Sequence, residues 1–345
     1  MGIKGLTQLI KTNSPDAIQT INLYNLSGKT VAIDASLFMY KMLINMRTSN
    51  QAYLKSKEGK IVSHITGIFY KTANYLAVDI TPIYVFDGKP PQHKDDVIKN
   101  RHKKVANAKE AMTNTELTEE QKNNLEKQTI RLTKGHVDDI KHLLNLMGVS
   151  YVQANGEAEA YASEMCRQGM VDYVVTEDMD TLAFGCPKMI RSCLDKSIKR
   201  SDIISVIELP TILQNFKMTY EEFIDMCILC GCDYCSNIPR IGNKGAYNYI
   251  TKHRTIENIL PHIKNVPENY ETKYKESRRL FTMYHNTLDM QQLSIQHSSW
   301  DLDSLYDYLV TTCSISDKRV QNTIKKMKQG YKALPIGKAQ PIGKA

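Results

Sequence analysis

Five short β-rich runs, at 30–33, 81–86, 150–152, 172–176 and 203–207, alternate with segments whose apolar residues recur at helical spacing, at 36–45, 63–78, 138–147 and 158–167. No other feature constrains the fold as strongly. Parallel strands need a crossover between them, so the alternation predicts an α/β fold: a mostly parallel central sheet flanked by helices. At 345 residues the chain is long enough to bury such a core.

Four of the runs lead into acids. Asp34 follows Val31-Ala32-Ile33, and Asp87 follows Ile83-Tyr84-Val85-Phe86. Glu157 and Glu159 come shortly after Tyr151-Val152, while Asp178 and Asp180 follow Tyr173-Val174-Val175. Ligands of open α/β sheets bind beyond the carboxyl ends of the strands. Singly, each acid has a structural explanation, since helix N-termini favour acids and Asp87-Gly88 suits a turn. Caps and turns do not require an acid after four strands, so the set reads as one site. In an extended segment Asp178 and Asp180 point to the same side. Glu157 and Glu159 do not face each other on a regular helix, so they share a site only from a loop or a first helical turn.

Crowded carboxylates in a cleft either take up protons or are neutralised by cations. All-oxygen ligation selects Mg2+ or Mn2+, and two such ions can activate a water and stabilise the leaving oxygen of a phosphodiester. Calcium would call for an EF-hand loop pattern, which the chain lacks.

Lys and Arg number 45 against 37 acids, a net charge of +8. The excess is modest, but basic residues crowd into 89–134 and 318–332. Such clusters suit a polyanion. Segment 89–134 interrupts the strand–helix alternation, with much charge, little apolar periodicity and two helix-prone stretches around Thr118-Glu119-Glu120. It is too long for a plain connection and is either functional or disordered. After Asp233 the chain turns helical, beginning with Ile238-Pro239-Arg240-Ile241-Gly242-Asn243-Lys244-Gly245. The closing repeat of Pro335-Ile336-Gly337-Lys338-Ala339 as Pro341-Ile342-Gly343-Lys344-Ala345 reads as a disordered tail.

The eight cysteines are expected to be free thiols. Cys227, Cys230, Cys232 and Cys235 fall within nine positions, whereas structural zinc usually draws ligand pairs from segments about a dozen or more residues apart. Buried thiols are the expectation for all four. No stretch reaches the roughly 18 apolar residues of a membrane span, and no signal-peptide core opens the chain. A soluble intracellular protein is expected.

Met1-Gly2-Ile3-Lys4-Gly5-Leu6, Ala32-Ile33-Asp34-Ala35-Ser36 and Val85-Phe86-Asp87-Gly88-Lys89-Pro90-Pro91 resemble the N-terminal block of the flap endonuclease family of 5′ nucleases. Glu157-Ala158-Glu159-Ala160, Thr176-Glu177-Asp178-Met179-Asp180 and Gly231-Cys232-Asp233-Tyr234-Cys235 are similar to its internal block. The resemblance runs from residue 1 to about 330. It implies a structure-specific endonuclease of DNA replication and repair, cutting near the junction of duplex and 5′ single-stranded flap.

By the same resemblance, Asp34, Asp87, Glu157 and Glu159 would hold one Mg2+, and Asp178, Asp180 and Asp233 a second, with Mn2+ able to substitute. Segment 89–134 would be a helical arch within the nuclease domain. Its Lys94 and Arg101 match positions that hold the scissile phosphate. Tyr40 matches a ring that stacks on the base flanking the cut. The implied DNA-contacting set also includes Gly2 (after removal of Met1), Arg47, Gly231, Asp233, Gly242 and Lys244. Domain boundaries follow: 1–107 as N-terminal block, 135–225 as internal block, 226–332 as a helical helix–turn–helix DNA-binding region that grips duplex through main-chain groups and K+, and 333–345 as tail.

Two departures stand out. Pro239 and Arg240 occupy positions where the family motif shows Arg then Gly, and Gly245 replaces a basic residue. A side chain at Arg240 is expected to distort the ion-binding turn. No Gln-x-x-aliphatic-x-x-aromatic-aromatic motif is present, so a sliding-clamp partnership is not expected, and the protein is read as a monomer. Relatives with the same metal centre include 5′ exonucleases, bubble-cutting repair nucleases and Holliday-junction resolvases. The spacer of about 45 residues after Asp87 suits a compact arch, and the modest C-terminal region argues against the long-tailed exonucleases. An inert nucleic-acid-binding module on this fold is disfavoured by the presence of all seven acids. Ile324-Lys325-Lys326-Met327-Lys328 is a weak nuclear signal, and the nucleus or another site of DNA replication is the expected location.

Overall fold

The structure is a computed structural model describing residues 2–48, 52–89, 95–113, 117–195, 197–198, 200, 202–283 and 299–331. The chain opens with α1 (Leu6–Asn13) and β1 (Ile18–Asn22), followed by β2 (Thr30–Asp34), α2 (Ala35–Asn45), α3 (Ser63–Leu76) and β3 (Thr81–Phe86). The charged interruption holds α4 (Asp95–Ala111) and α5 (Glu119–Thr129), which pack on one another. Alternation resumes with α6 (Lys134–Leu146), β4 (Tyr151–Gln153), α7 (Ala158–Arg167), β5 (Tyr173–Val175), α8 (Asp180–Ala183), β6 (Lys188–Ser192) and β7 (Ile203–Glu208). Beyond them come α9 (Leu209–Phe216), α10 (Tyr220–Cys230), α11 (Asn243–His253), α12 (Ile256–Ile259), α13 (Tyr270–Thr282), α14 (Leu302–Asp307) and α15 (Asp317–Tyr331). The terminal tail expected at 333–345 lies outside the described residues.

The seven strands form one sheet in the order β1-β7-β6-β5-β2-β3-β4. From β6 to β4 all pairings are parallel, while β7 and β1 add antiparallel at the other edge. The mostly parallel sheet is therefore as expected, but two strands lay outside the expectation. β1 is an edge strand with a mostly exposed or half-exposed pattern, and β6 is flanked by Lys188 and Ser192. Neither carries the continuous apolar run that marks a strand buried on both faces.

β2 has that run. Val31 and Ile33 face one side of the sheet and Ala32 the other, as the period of two requires. One apolar cluster packs β2 through Ala32 against α1, α7 and α10, and the other packs it through Val31 and Ile33 against α2, α3, α6 and α15. The chain leaves β2 toward β3 on one side, while β5 pairs on its other side. That reversal of direction opens a crevice at the carboxyl ends of β2 and β5.

A half-buried ion pair anchors the helical region. Asp225 of α10 accepts from both Nε and Nη2 of Arg278 on α13, and the same guanidinium donates to Glu257 of α12 at 2.7 Å. Among the described residues no helix is long and apolar enough to cross a membrane.

Candidate active site

Asp34 is the last residue of β2 and the N-cap of α2, where its Oδ1 accepts from the Leu37 N–H at 3.0 Å. Strand passes into helix with no linker, so this carboxylate is held at the crevice with 2% exposure. Burial, and then the charges of Asp87 and Asp178, push its carboxyl up to about 7, against the opposing pull of the Leu37 N–H.

Asp87, directly after β3, caps α7: its Oδ1 accepts from the Ala158 N–H at 2.8 Å. Gly88 makes this approach possible. Its N–H donates to the Gly156 carbonyl at 2.7 Å, and a Cβ at Gly88 would lie 2.2 Å from the Ala154 carbonyl oxygen. Any side chain there would wedge the two loops apart. Glu157 is the N-cap of α7 and Glu159 sits in its first turn, the placement that sharing a site would require. The Tyr234 phenol donates to Oε2 of Glu157. Burial, followed by the charge of Glu157, drives the Tyr234 phenol far above its ordinary value.

The segment from Asp178 to Asp180 is not extended. Met179 has helical backbone angles and Asp180 opens α8, because the chain turns immediately after the short β5. The two acids nevertheless share a side. The Asp180 N–H donates to Asp178 Oδ1 at 3.2 Å, and a Cβ at Gly2 would lie 1.9 Å from Asp178 Oδ1 and 2.8 Å from Asp180 Oδ1. The N-terminal glycine is thus packed directly on both carboxylates, with φ of +83°. Asp233, half-buried after α10, lies between two residues that face the cluster. Cys232 feels the charge of Asp180, and Tyr234 bonds Glu157.

Asp87, Glu159 and Asp178 thus each interact with Asp34, while Glu157, Glu159 and Asp180 gather around Tyr234. Among the described residues no three His, Cys, Asp or Glu side chains close on a common point tightly enough to grip an ion. Asp34, Asp87 and Asp178 accept from backbone N–H groups, Asp34 also bonds the Glu159 side chain, and Glu157 accepts from the Tyr234 phenol.

Several supports carry no sequence signal. Glu177 accepts from Lys41 at 2.7 Å and pairs with Arg191 at 3.4 Å, which fixes the loop before Asp178. Burial opposes the Glu177 charge, but Lys41 and Ser192 outweigh it and hold the carboxyl below its ordinary value. A cavity of about 280 Å³ opens beside Asp34, lined by Lys41, Lys71, Glu177 and Arg191 among apolar side chains. The Lys71 ammonium lies 5.1 Å from the Tyr75 ring centroid, and burial lowers its pKa.

The other predicted residues are scattered around this centre. Lys94 lies outside the described residues, and Arg101 falls within α4, where only its backbone is described. Tyr40 is half-buried on α2. Arg47 stacks over the Tyr53 ring at 3.6 Å and pairs with Glu126 of α5 at 3.4 Å, which ties the α2–α3 connection to α5. Gly231 has φ of +94° and accepts from the Lys4 N–H at 3.1 Å. Gly242 is the N-cap of α11 and Lys244 is exposed in its first turn. Arg240 sits at φ of +69°, the left-handed region that glycine adopts freely. Cys227, Cys230 and Cys235 are buried free thiols, and Cys232 is a half-buried one.

The chain matches two domain families, the XPG N-terminal domain over residues 1–108 and the XPG I-region over 148–233. It is 40% identical over 335 residues to flap endonuclease 1 of Glycine max, covering 95% of this chain and 87% of that protein. Among solved structures, flap endonuclease-1 from Methanococcus jannaschii superposes with a TM-score of 0.69 at 29% identity, over 91% of this chain and 96% of that one. The Holliday junction-resolving enzyme GEN1, solved with product DNA and Mg2+, superposes at 0.63 with 20% identity, over 95% and 78%. At that identity the likeness shows the fold alone. Fold and acidic rim define a nuclease of the XPG type. The chain belongs to the flap endonuclease family, and it is a structure-specific DNA endonuclease.

Proposed function

We propose that the protein hydrolyses a DNA phosphodiester beside the junction of duplex and 5′ flap, and that its seven acids hold two divalent cations. The carrying observation is the state of Asp34: a fully buried carboxyl pushed to about 7 by burial and two neighbouring acids is a site short of positive charge. Its donors are all oxygen, which fits Mg2+ or Mn2+. Asp34, Asp87, Glu157 and Glu159 would hold one ion, and Asp178, Asp180 and Asp233 the other. When bound, the pair supplies Lewis acidity for the attacking water and the leaving oxygen.

The chain's own residues perform the remaining work. Asp87 and Glu157 are set by the N-terminus of α7, and Tyr234 orients Glu157. Gly2 keeps Asp178 and Asp180 turned to one side. Lys94 and Arg101 on the arch hold the scissile phosphate, Tyr40 stacks on the flanking base, and the turn before α11 grips duplex backbone through Gly242 and Lys244 with K+. Residues 1–107, 135–225 and 226–332 serve as N-terminal block, internal block and DNA-binding region, at a site of DNA replication or repair.

A cleavage panel of flap, nicked, gapped, bubble and four-way DNA with Mg2+ tests this reading. Flap substrates are expected to be cut fastest, with Asp178→Ala abolishing cleavage while binding persists. Preferred cutting of four-way DNA or undiminished cleavage by Asp178→Ala would overturn it.

A further inference from the structure

At the opposite end of α7 from Glu157 and Glu159, two thiols meet. Cys166 lies in the last turn of α7, and Cys186 in the turn between α8 and β6. The Sγ of Cys186 donates to the Lys188 carbonyl at 3.3 Å and that of Cys166 approaches the same oxygen at 3.9 Å, with the Asp172 carbonyl at 3.5 Å. The two side chains are also hydrogen-bonding partners of one another, which places the sulfurs within reach of each other. Both are free. We infer that Cys166 and Cys186 form a peroxide-oxidisable dithiol, a redox modification site that joins the last turn of α7 to the α8–β6 turn.

The eight cysteines are not equivalent. Once Cys166 loses its proton, the Cys186 S–H turns from the Lys188 carbonyl to donate to the Cys166 sulfur; that bond draws the Cys166 thiol below its ordinary value and makes Cys166 the nucleophile. Burial pushes the thiols of Cys186, Cys227, Cys230, Cys232 and Cys235 upward. Cys166 keeps 7% of its surface, beside the strand end where Lys188 reaches over the Tyr173 ring.

The chemistry balances in two steps. The Cys166 thiolate attacks a peroxide oxygen, the O–O bond breaks, and the departing hydroxide takes up the thiol proton as water, leaving a sulfenic acid. The Cys186 sulfur then attacks the sulfenic sulfur, the S–O bond breaks, and a second water leaves with the Cys186 proton. Two thiols lose two electrons to one peroxide. A dithiol reductant reverses the bond by exchange.

The effect reaches the site through the two elements the bond would tie. α7 carries Glu157 and Glu159 at its start, and α8 begins at Asp180. The test uses the full chain treated with hydrogen peroxide, quenched, unfolded, alkylated and digested for mass spectrometry. The expected product is one cross-linked peptide pair, Cys166 to Cys186, lost on treatment with dithiothreitol, with the other six cysteines alkylated. The bond closes the 21 residues from 166 to 186, so the oxidised chain is expected to melt several degrees higher. Full alkylation of both thiols, or a cross-link among Cys227, Cys230, Cys232 and Cys235 instead, would overturn the inference. In Cys186→Ala, a sulfenic acid on Cys166 is expected to be trapped by dimedone. Its absence in a folded variant would also overturn it.

Discussion

Tyr234 donates its phenolic hydrogen to Glu157 across 77 residues of chain. The bond fastens the loop after α10 to the N-cap of α7, so the helical region and the acidic rim are not independent. Asp233, one residue before, is carried to the cluster by that contact.

Tyr234→Phe removes the donor and keeps the ring, which packs on Phe281 at 5.4 Å between centroids. A hydrogen bond to a charged group contributes about 1.5–3 kcal/mol to stability, so the variant should melt several degrees lower, and single-turnover flap cleavage should fall roughly tenfold because Glu157 loses the partner that orients it. A normal rate in rapid-quench measurements would reduce Tyr234 to a packing role.

Gly2→Ala places a methyl 1.9 Å from Asp178 Oδ1 and asks a non-glycine residue to hold φ of +83°. Because a misplacement near 1 Å can cost about a hundredfold in rate, cleavage should drop by that order while the melting temperature stays put. Wild-type cleavage by the variant would show that the N-terminal segment moves aside at no cost.

Arg240→Gly relieves a left-handed backbone at φ of +69°. Such a conformation costs about 1 kcal/mol or more for a residue with a side chain, so chemical denaturation should show stability rising by about that amount. If the turn before α11 binds K+, duplex affinity of the variant should also depend more steeply on K+ than that of the wild type. Equal K+ dependence would remove the ion from this turn.

For Asp34 the folded pKa, about 7, lies above the ordinary 3.8. Between these values the native state keeps a proton that the unfolded chain has released. Stability of chelator-treated protein should therefore fall as pH rises from about 4 to 7 and level off above, an effect of up to about 4 kcal/mol. Asp34→Asn should flatten the profile, and Mg2+ at pH 8 should recover the wild-type loss by binding the folded state. A profile unchanged by Asp34→Asn would assign the pH dependence to other groups.

Much of this protein is legible in its sequence. The apolar runs of β2 and β3 marked parallel strands buried on both faces, and an acid after each of four strands located the crevice, because strand ends converge there whatever the loops do. The family motifs supplied the substrate. Edge strand β1 and the short β6 were not legible, since polar residues at exposed positions blur the pattern that buried strands carry. The turn at Asp178–Asp180 was not legible either, because local spacing fits an extended segment equally well.

The sequence by itself determined which residue types stand at the strand ends, and so the charge and the chemistry of the site. Only the tertiary structure decided who holds them. Gly2 lies against Asp178, Tyr234 against Glu157, and Glu177 between Lys41 and Arg191. The reason is physical: a motif records neighbours along the chain, whereas hydrogen bonds and close packing act between atoms brought together from distant segments, and no local pattern encodes that meeting.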